Sequence, residues 1–252
     1  MKQLNNRIAV VTGASSGIGY ATAKLLAERG AKVAVLARRG DMLEQLVAEI
    51  TAAGGTALAL PVDVTDQASI DAAAATVEQT WGPADLVFNN AGVMLPGAIE
   101  ERDIQQWQHQ IDLNITGAMR VISAFVPQLT KAAAAGATVD LINTSSIAAQ
   151  NIYPYFAVYS ASKAYVSHLT RHLRAELGPK NIRVSVVEPG CTSTELQGHF
   201  TFPGAIDWLA GAKETITFLE PEDVAEVVGF LAAQPKHVNL QQVVVMPTNQ
   251  AS

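Results

Sequence analysis

A doubly wound parallel α/β sheet of about seven strands, with helices on both faces, is the fold class that this sequence predicts. Three observations carry the prediction. Short runs rich in Val, Ile and Leu recur along the chain without polar alternation, as strands buried on both faces must. Longer amphipathic stretches separate them, which suits right-handed crossover helices. A glycine-rich turn joins the first apolar run to the first amphipathic one.

In order, the apolar runs predict strands at 7–12, 32–37, 56–60, 85–89, 139–144, 183–187 and 243–246. Helical spacing predicts helices at 17–29, 41–53, 66–81, 103–131, 155–177 and 222–234. The Ala-rich patch 132–137 reads as a fraying helix end before a strand. No repeat, low-complexity tract or linker splits the chain, so 1–252 is expected to form one dinucleotide-binding and catalytic domain. The long segment 189–221 lacks a clear period and is expected to be a substrate loop, centred near 190–220.

Charged residues make up 16% against the roughly 25% of a typical domain, which predicts helix faces covered by other subunits. The net charge of −6, with no Lys/Arg run, leaves nucleic-acid or anionic-membrane binding without electrostatic support. A single cysteine, Cys191, excludes an internal disulfide and a thiolate metal cluster, and fits a reducing compartment. The polar N-terminus shows no signal-peptide pattern, and no apolar stretch is long enough to span a bilayer. The expectation is a soluble, cytoplasmic protein. His168 and His172 stand one helical turn apart but have no evident third ligand, so no metal is expected.

The turn Thr12-Gly13-Ala14-Ser15-Ser16-Gly17-Ile18-Gly19 lets the backbone approach a pyrophosphate while a helix N-terminus faces its charge. At the end of the second strand, a carboxylate would bond the ribose 2′-hydroxyl of NAD. Here Arg38 and Arg39 follow instead, two guanidinium groups suited to the 2′-phosphate of NADP. Asp63 and Val64 follow the third strand, where Asp63 could accept from the adenine amino group or close a turn; spacing leaves both open. Asn89-Asn90-Ala91-Gly92 closes the fourth strand, either as a structural turn or to hold strand ends apart around a cofactor.

Tyr159 and Lys163, four residues apart, share one helix face. A free tyrosine titrates near pH 10, and a neighbouring ammonium is expected to lower that value toward neutrality. Ser146 closes the fifth strand at its carboxyl end, where its hydroxyl can donate to an oxygen that gains charge. Asn114 sits mid-helix against its propensity and could bend the helix around a proton-relaying water.

Taken together, these residues closely resemble the short-chain dehydrogenase/reductase family in its compact single-domain, Rossmann-type branch, over essentially the whole chain. The resemblance implies that Tyr159 is the general acid/base, that Ser146 orients the carbonyl, and that Lys163 tunes Tyr159 and binds ribose. Asn114 would complete the relay. Ser146 is chosen over Ser145 because family members place the serine thirteen positions before the tyrosine. Pro189, Gly190, Thr192 and Thr194 match the segment that bonds the nicotinamide carboxamide, and Arg38 matches the NADP-preferring pattern. The stretch from His237-Val238-Asn239 to Pro247-Thr248 resembles NADP-dependent 3-hydroxy acid dehydrogenases. Family habit further implies a homotetramer built on the helices holding Asn114 and Tyr159.

A 3-hydroxy acid would want a cationic partner, yet 194–219 offers only Lys213 and His199 among many apolar side chains. Phe200, Phe202, Ile206, Trp208, Leu209, Ile216 and Phe218, with Ile147, Ile152, Tyr153, Tyr155 and Phe156, predict a pocket for neutral, apolar ketones and aldehydes. A serine-type dehydrogenase is the alternative. A non-catalytic dinucleotide sensor would have no need of Ser146, Tyr159 and Lys163, and a methyltransferase explains the glycine turn but not that trio. Cys191 reads as a packing residue, with no partner chemistry for a catalytic thiol.

Overall fold

A computed structural model describes residues 3–251. Seven parallel strands form one sheet in the order β3-β2-β1-β4-β5-β6-β7. They are β1 (Ile8–Thr12), β2 (Lys32–Ala37), β3 (Thr56–Pro61), β4 (Leu86–Asn89), β5 (Val139–Thr144), β6 (Ile182–Pro189) and β7 (Gln242–Val245). The central strands β4, β5 and β6 are buried at every position, their polar residues such as Asp140, Arg183 and Ser185 included. The edges β3 and β7 are only partly buried. Strand order reverses between β1 and β4, so their carboxyl ends open the crevice where this architecture binds ligands.

Helices α1 (Gly17–Glu28), α2 (Gly40–Ala52) and α8 (Pro221–Ala232) pack one core with Val11, Val33, Val35 and Phe88 of the sheet. Helices α3 (Gln67–Trp81) and α5 (Ala118–Ala134), with the end of α6 (Ala157–Leu177), pack the other around Val87, Leu141 and Val184. The Ala-rich patch does end a helix, and Gly136 closes it at φ 90.

Two departures from the sequence reading bear on the site. The expected helix 103–131 is α4 (Ile104–Ile111) joined to α5 by a π-helical turn, Asp112–Gly117, that contains Asn114. Such turns insert an extra residue in the helical ladder and bend it. The segment expected to be a loop instead holds a short 3₁₀ turn, Glu195–His199, and helix α7 (Pro203–Thr215). Pro203 opens that helix at a position where its missing N–H costs nothing.

At the amino ends of β1, β4, β5 and β6, Arg7, Asp85, Asp140 and Arg183 form a buried ionic cluster. Asp140 accepts from Arg7 Nη2 at 2.7 Å, and from Arg183 Nε and Nη2 at 2.7 Å each. Arg7 also pairs with Asp85.

Candidate active site

The carboxyl ends of the strands surround a cleft of about 400 Å³. Gly13 (φ 66), in the turn before α1, and Gly17 (φ 55), the first residue of α1, take left-handed conformations that residues with side chains rarely adopt. A side chain on Gly13 would also press on Ala91, and one on Gly19 would collide with the Gly13 carbonyl. The turn has no room for side chains at these glycines, and the bare backbone of Gly13 and Gly17 lines the cleft, as close approach of a pyrophosphate requires.

Thr12 Oγ1 accepts from the main-chain N–H groups of Asn90 and Ala91 at 2.9 and 3.0 Å. Asn89 Nδ2 donates to Asn143 Oδ1 at 3.1 Å. The two asparagines therefore tie β1, β4 and β5 together beside the cleft, and Asn90, Ala91 and Gly92 also line it.

Arg38 and Arg39 line the opposite end. Arg39 Nε and Nη2 donate to Ser15 Oγ at 3.2 and 3.1 Å, which joins this arginine to the glycine turn. Asp63 accepts from the N–H and the hydroxyl of Thr65. The Thr65 N–H is the main cause holding its carboxyl below the usual range, with Arg38 and Arg120 adding to it. Asp63 thus closes a turn and faces the cleft with Val64.

Ser146, Tyr159 and Lys163 come together on the far wall. Tyr159 is buried, and burial pushes its hydroxyl up to about 12, partly offset by a hydrogen bond from Ser146. Ser146 Oγ accepts from the Ala148 N–H at 3.1 Å. Lys163 Nζ donates to the Thr144 carbonyl at 3.0 Å and lies 5.8 Å from the Tyr159 ring centre. Burial brings the Lys163 ammonium down to about 8. The expected lowering of Tyr159 is absent from this arrangement, because loss of water around the phenol outweighs every favourable contact it makes.

Two expected site residues stand behind the cleft rather than in it. Gly19 is buried under the turn, where its missing side chain lets α1 close on Gly13. Asn114 is also buried, and exchanges hydrogen bonds with the Val93 backbone at 2.8 and 2.9 Å. It donates to Ser162 Oγ at 3.0 Å as well. A Cβ on Gly92 would sit 3.2 Å from Asn114 Oδ1 and 3.5 Å from Lys163 Nζ, so the two polar groups flank that glycine.

Pro189, Gly190, Thr192 and Thr194 line the cleft where β6 ends. Beyond them, Phe156 packs edge-to-face on Phe200 and Trp208, and Tyr153 on Trp208. Several residues expected in this pocket lie elsewhere. Ile152 is 95% exposed, Tyr155 and Ile206 are also exposed, and Ile216 faces a smaller neighbouring cavity. Lys213 is exposed near the end of α7, while His199 does face the cleft. Burial raises the Cys191 thiol, which argues against a reactive thiolate.

Glu195 and Gln250 are among the cleft residues that the sequence expectations omit. Glu195 faces the cleft beside Arg39, and an acid directly after Thr194 was the available signal. Gln250 is buried against the cleft, with Oε1 accepting from the Cys191 N–H at 2.9 Å, and no local pattern marks it.

Residues 7–201 match the short chain dehydrogenase family. The chain belongs to the short-chain dehydrogenase/reductase family. It is 34% identical to an uncharacterized oxidoreductase of Staphylococcus aureus over 98% of this chain and all of that one. It is 35% identical to glycine betaine reductase of Emericella nidulans over 98% of itself, but spans only 19% of that protein. Among solved structures it is similar to a 3-ketoacyl-(acyl-carrier-protein) reductase of Brucella melitensis complexed with NADH. That match has a TM-score of 0.87 and 29% identity, and covers 98% of this chain and 99% of the other. A serine dehydrogenase complexed with NADP+ is similar at TM-score 0.87 and 29% identity, over 97% of this chain and 96% of the other. This short-chain dehydrogenase/reductase is therefore an oxidoreductase whose structural neighbours bind nicotinamide dinucleotides. No helix among the described residues is long and apolar enough to cross a membrane.

Proposed function

We propose that this chain is an NADP(H)-dependent carbonyl reductase and alcohol dehydrogenase for neutral, fairly apolar small molecules, acting as one domain over 1–252. The observation that carries the reading is the polarity of its cleft: two arginines at one end, an aromatic cluster at the other, and Tyr159 with Ser146 between them. Arg38 and Arg39 would hold the 2′-phosphate, and the turn from Gly13 to Ile18 the pyrophosphate. Asp63 and Val64 would face the adenine, with Asn90, Ala91 and Gly92 along the ribose side. Lys163 would bond the nicotinamide ribose, and Pro189, Gly190, Thr192 and Thr194 would hold the carboxamide.

When bound, the cofactor supplies or takes the hydride. In the reducing direction Tyr159, protonated throughout the neutral range, gives its proton to the carbonyl oxygen. Ser146 Oγ already accepts from Ala148, so its own hydrogen is directed to Tyr159 or to that oxygen. Lys163 holds positive charge beside them. The side chain of Asn114 is engaged by Val93 and Ser162, so Asn114 serves the relay by shaping the π turn next to Gly92.

The Lys163 charge sets a pH expectation. Its ammonium persists below about 8 and is lost as pH rises through that value, while Tyr159 stays protonated to about 12. Saturated ketone reduction should therefore be level on the acid side and fall through one inflection near pH 8. A profile that stays level well past that point would show that the Lys163 charge is dispensable.

A homotetramer and a cytoplasmic setting belong to the same reading. Ile104, Ile111, Met119 and Tyr165 are exposed on α4, α5 and α6, which supports subunit contacts there. Val121, Ile122 and Phe125 are buried in the protomer's own core.

The likeness to a serine dehydrogenase favours a second reading, oxidation of 3-hydroxy acids, with His199 as the carboxylate's partner. A panel of ketones, aldehydes, 3-oxo acids and their alcohols, followed at the reduced-nicotinamide band with both cofactors, separates the two. Neutral aryl or alkyl carbonyls should show the higher kcat/KM, with NADPH preferred. Serine or 3-hydroxyisobutyrate outperforming every neutral alcohol would overturn the substrate assignment, and no turnover of any compound would favour a dinucleotide sensor.

A further inference from the structure

Glu195 is the first residue of the 3₁₀ turn that follows Thr194, and its carboxylate joins three parts of the cofactor end. It accepts from Arg39 Nη2 at 2.9 Å and is hydrogen-bonded by Ser16 of the glycine turn. Its backbone belongs to the segment that caps the cleft. That segment is built to hold its place. Gln197 Nε2 donates to the Thr192 carbonyl at 2.7 Å, and Thr194 caps the turn. A Cβ on Gly17 would lie 3.2 Å from the Thr194 methyl, so the segment rests directly on the glycine turn.

The bonded edge of Arg39 is thus already committed, with Nε and Nη2 facing Ser15 and Nη2 also facing Glu195. A phosphate dianion drawn to Arg39 would share that guanidinium with an existing carboxylate. Two anions close to one guanidinium repel each other and compete for its charge. We infer that Glu195 is a specificity-determining residue for the cofactor: it competes with the 2′-phosphate for Arg39, and so weakens the preference for NADP over NAD. When the phosphate wins, Glu195 leaves Arg39 and the 195–199 turn loses one of its ties to the glycine turn. Cofactor choice and the position of the substrate segment are then coupled through a single carboxylate. The inference rests on the reading above that Arg39 faces the 2′-phosphate.

Both partners are about half exposed, at 46% and 57% of their side chains, so the competition is modest. Exposed pairs of this kind correspond to about a two- to fivefold change in a binding constant. The experiment measures dissociation constants of NADPH and NADH by quenching of protein fluorescence, for the wild type, Glu195→Gln, Arg39→Ala and the double variant. Gln keeps the size of the side chain at an exposed position, and Glu195→Asp provides a second, shorter carboxylate that should restore part of the competition.

The expected result is NADPH binding tightened about two- to fivefold by Glu195→Gln, with a smaller gain for NADH. The gain should vanish in the Arg39→Ala background, and shrink as ionic strength rises. If Arg39→Ala weakens NADPH alone while Glu195→Gln changes neither cofactor, competition by Glu195 is overturned and the NADP reading stands. If Glu195→Gln weakens NADPH, the carboxylate is a clasp over the bound cofactor and the inference is again wrong. If Arg39→Ala leaves the NADPH/NADH ratio unchanged, the reading of Arg39 fails and the competition fails with it.

Discussion

Replacing Tyr159 by phenylalanine should lower turnover by roughly a hundredfold to ten-thousandfold, the range typical of a positioned acid–base group. The ring is buried in the cluster with Phe156 and Phe200, so phenylalanine fills the same volume and the fold should survive. Only the hydroxyl goes. Ser146 remains, held by Ala148, and can still donate to a carbonyl oxygen, but no neighbour then delivers a proton. Lys163 does not replace it, since its ammonium is anchored on the Thr144 carbonyl and stands 5.8 Å from the centre of the Tyr159 ring. Binding of NADPH, followed by fluorescence, should change by no more than a few-fold. The measurement is single-turnover reduction of a good ketone, where chemistry limits the rate. A variant keeping more than a tenth of wild-type turnover would remove Tyr159 from the acid–base role.

Much of this arrangement is legible in the sequence, because parallel strands buried on both faces leave a strongly apolar pattern. The seven strands at their stated positions, the glycine turn and the Tyr159–Lys163 face all follow from spacing. Spacing reports proximity, however, and not water. That is why spacing points the wrong way for Tyr159: an i, i+4 lysine suggests a lowered phenol, while burial raises it and lowers the lysine instead. Helix α7 was missed for a different reason. Gly204 and Gly211 dilute its helical signal, and with Trp208 and Leu209 on the cleft and Ile206 exposed its apolar residues make no regular core stripe. Asn114 was legible as a bend but not as a residue behind the wall, since its partners Val93 and Ser162 are remote in sequence. Gln250 was invisible, because its contact with Cys191 spans most of the last sixty residues.

Removing the carboxylate of Asp140 should cost about 3–5 kcal/mol of stability, the range for breaking a buried ion pair from one side. Nothing in the strand pattern announced this residue, which reads only as a polar interruption in 139–144. In the structure it is 2% exposed and takes three hydrogen bonds from two guanidinium groups. Arg7 keeps Asp85 when Asp140 is lost, but Arg183 keeps only main-chain carbonyls such as those of Gln234 and Ala232. A charge at 5% exposure is then left without a counter-ion, which costs far more than the pair contributed when whole. Asp140→Ala should therefore lower Tm by on the order of 10 °C, as about 2–4 °C accompanies each kcal/mol in a domain of this size. Replacing Asp140 and Arg183 together by apolar residues of similar volume should recover much of the loss, because no charge is stranded. The cluster lies at the amino ends of the strands and the cleft at their carboxyl ends, so the folded fraction of either variant should bind NADPH as the wild type does. Thermal unfolding at fixed protein concentration, with cofactor titrations below the transition, reads both quantities. A single variant that loses less than about 1 kcal/mol would mean that water reaches Arg183 and that the cluster is not closed.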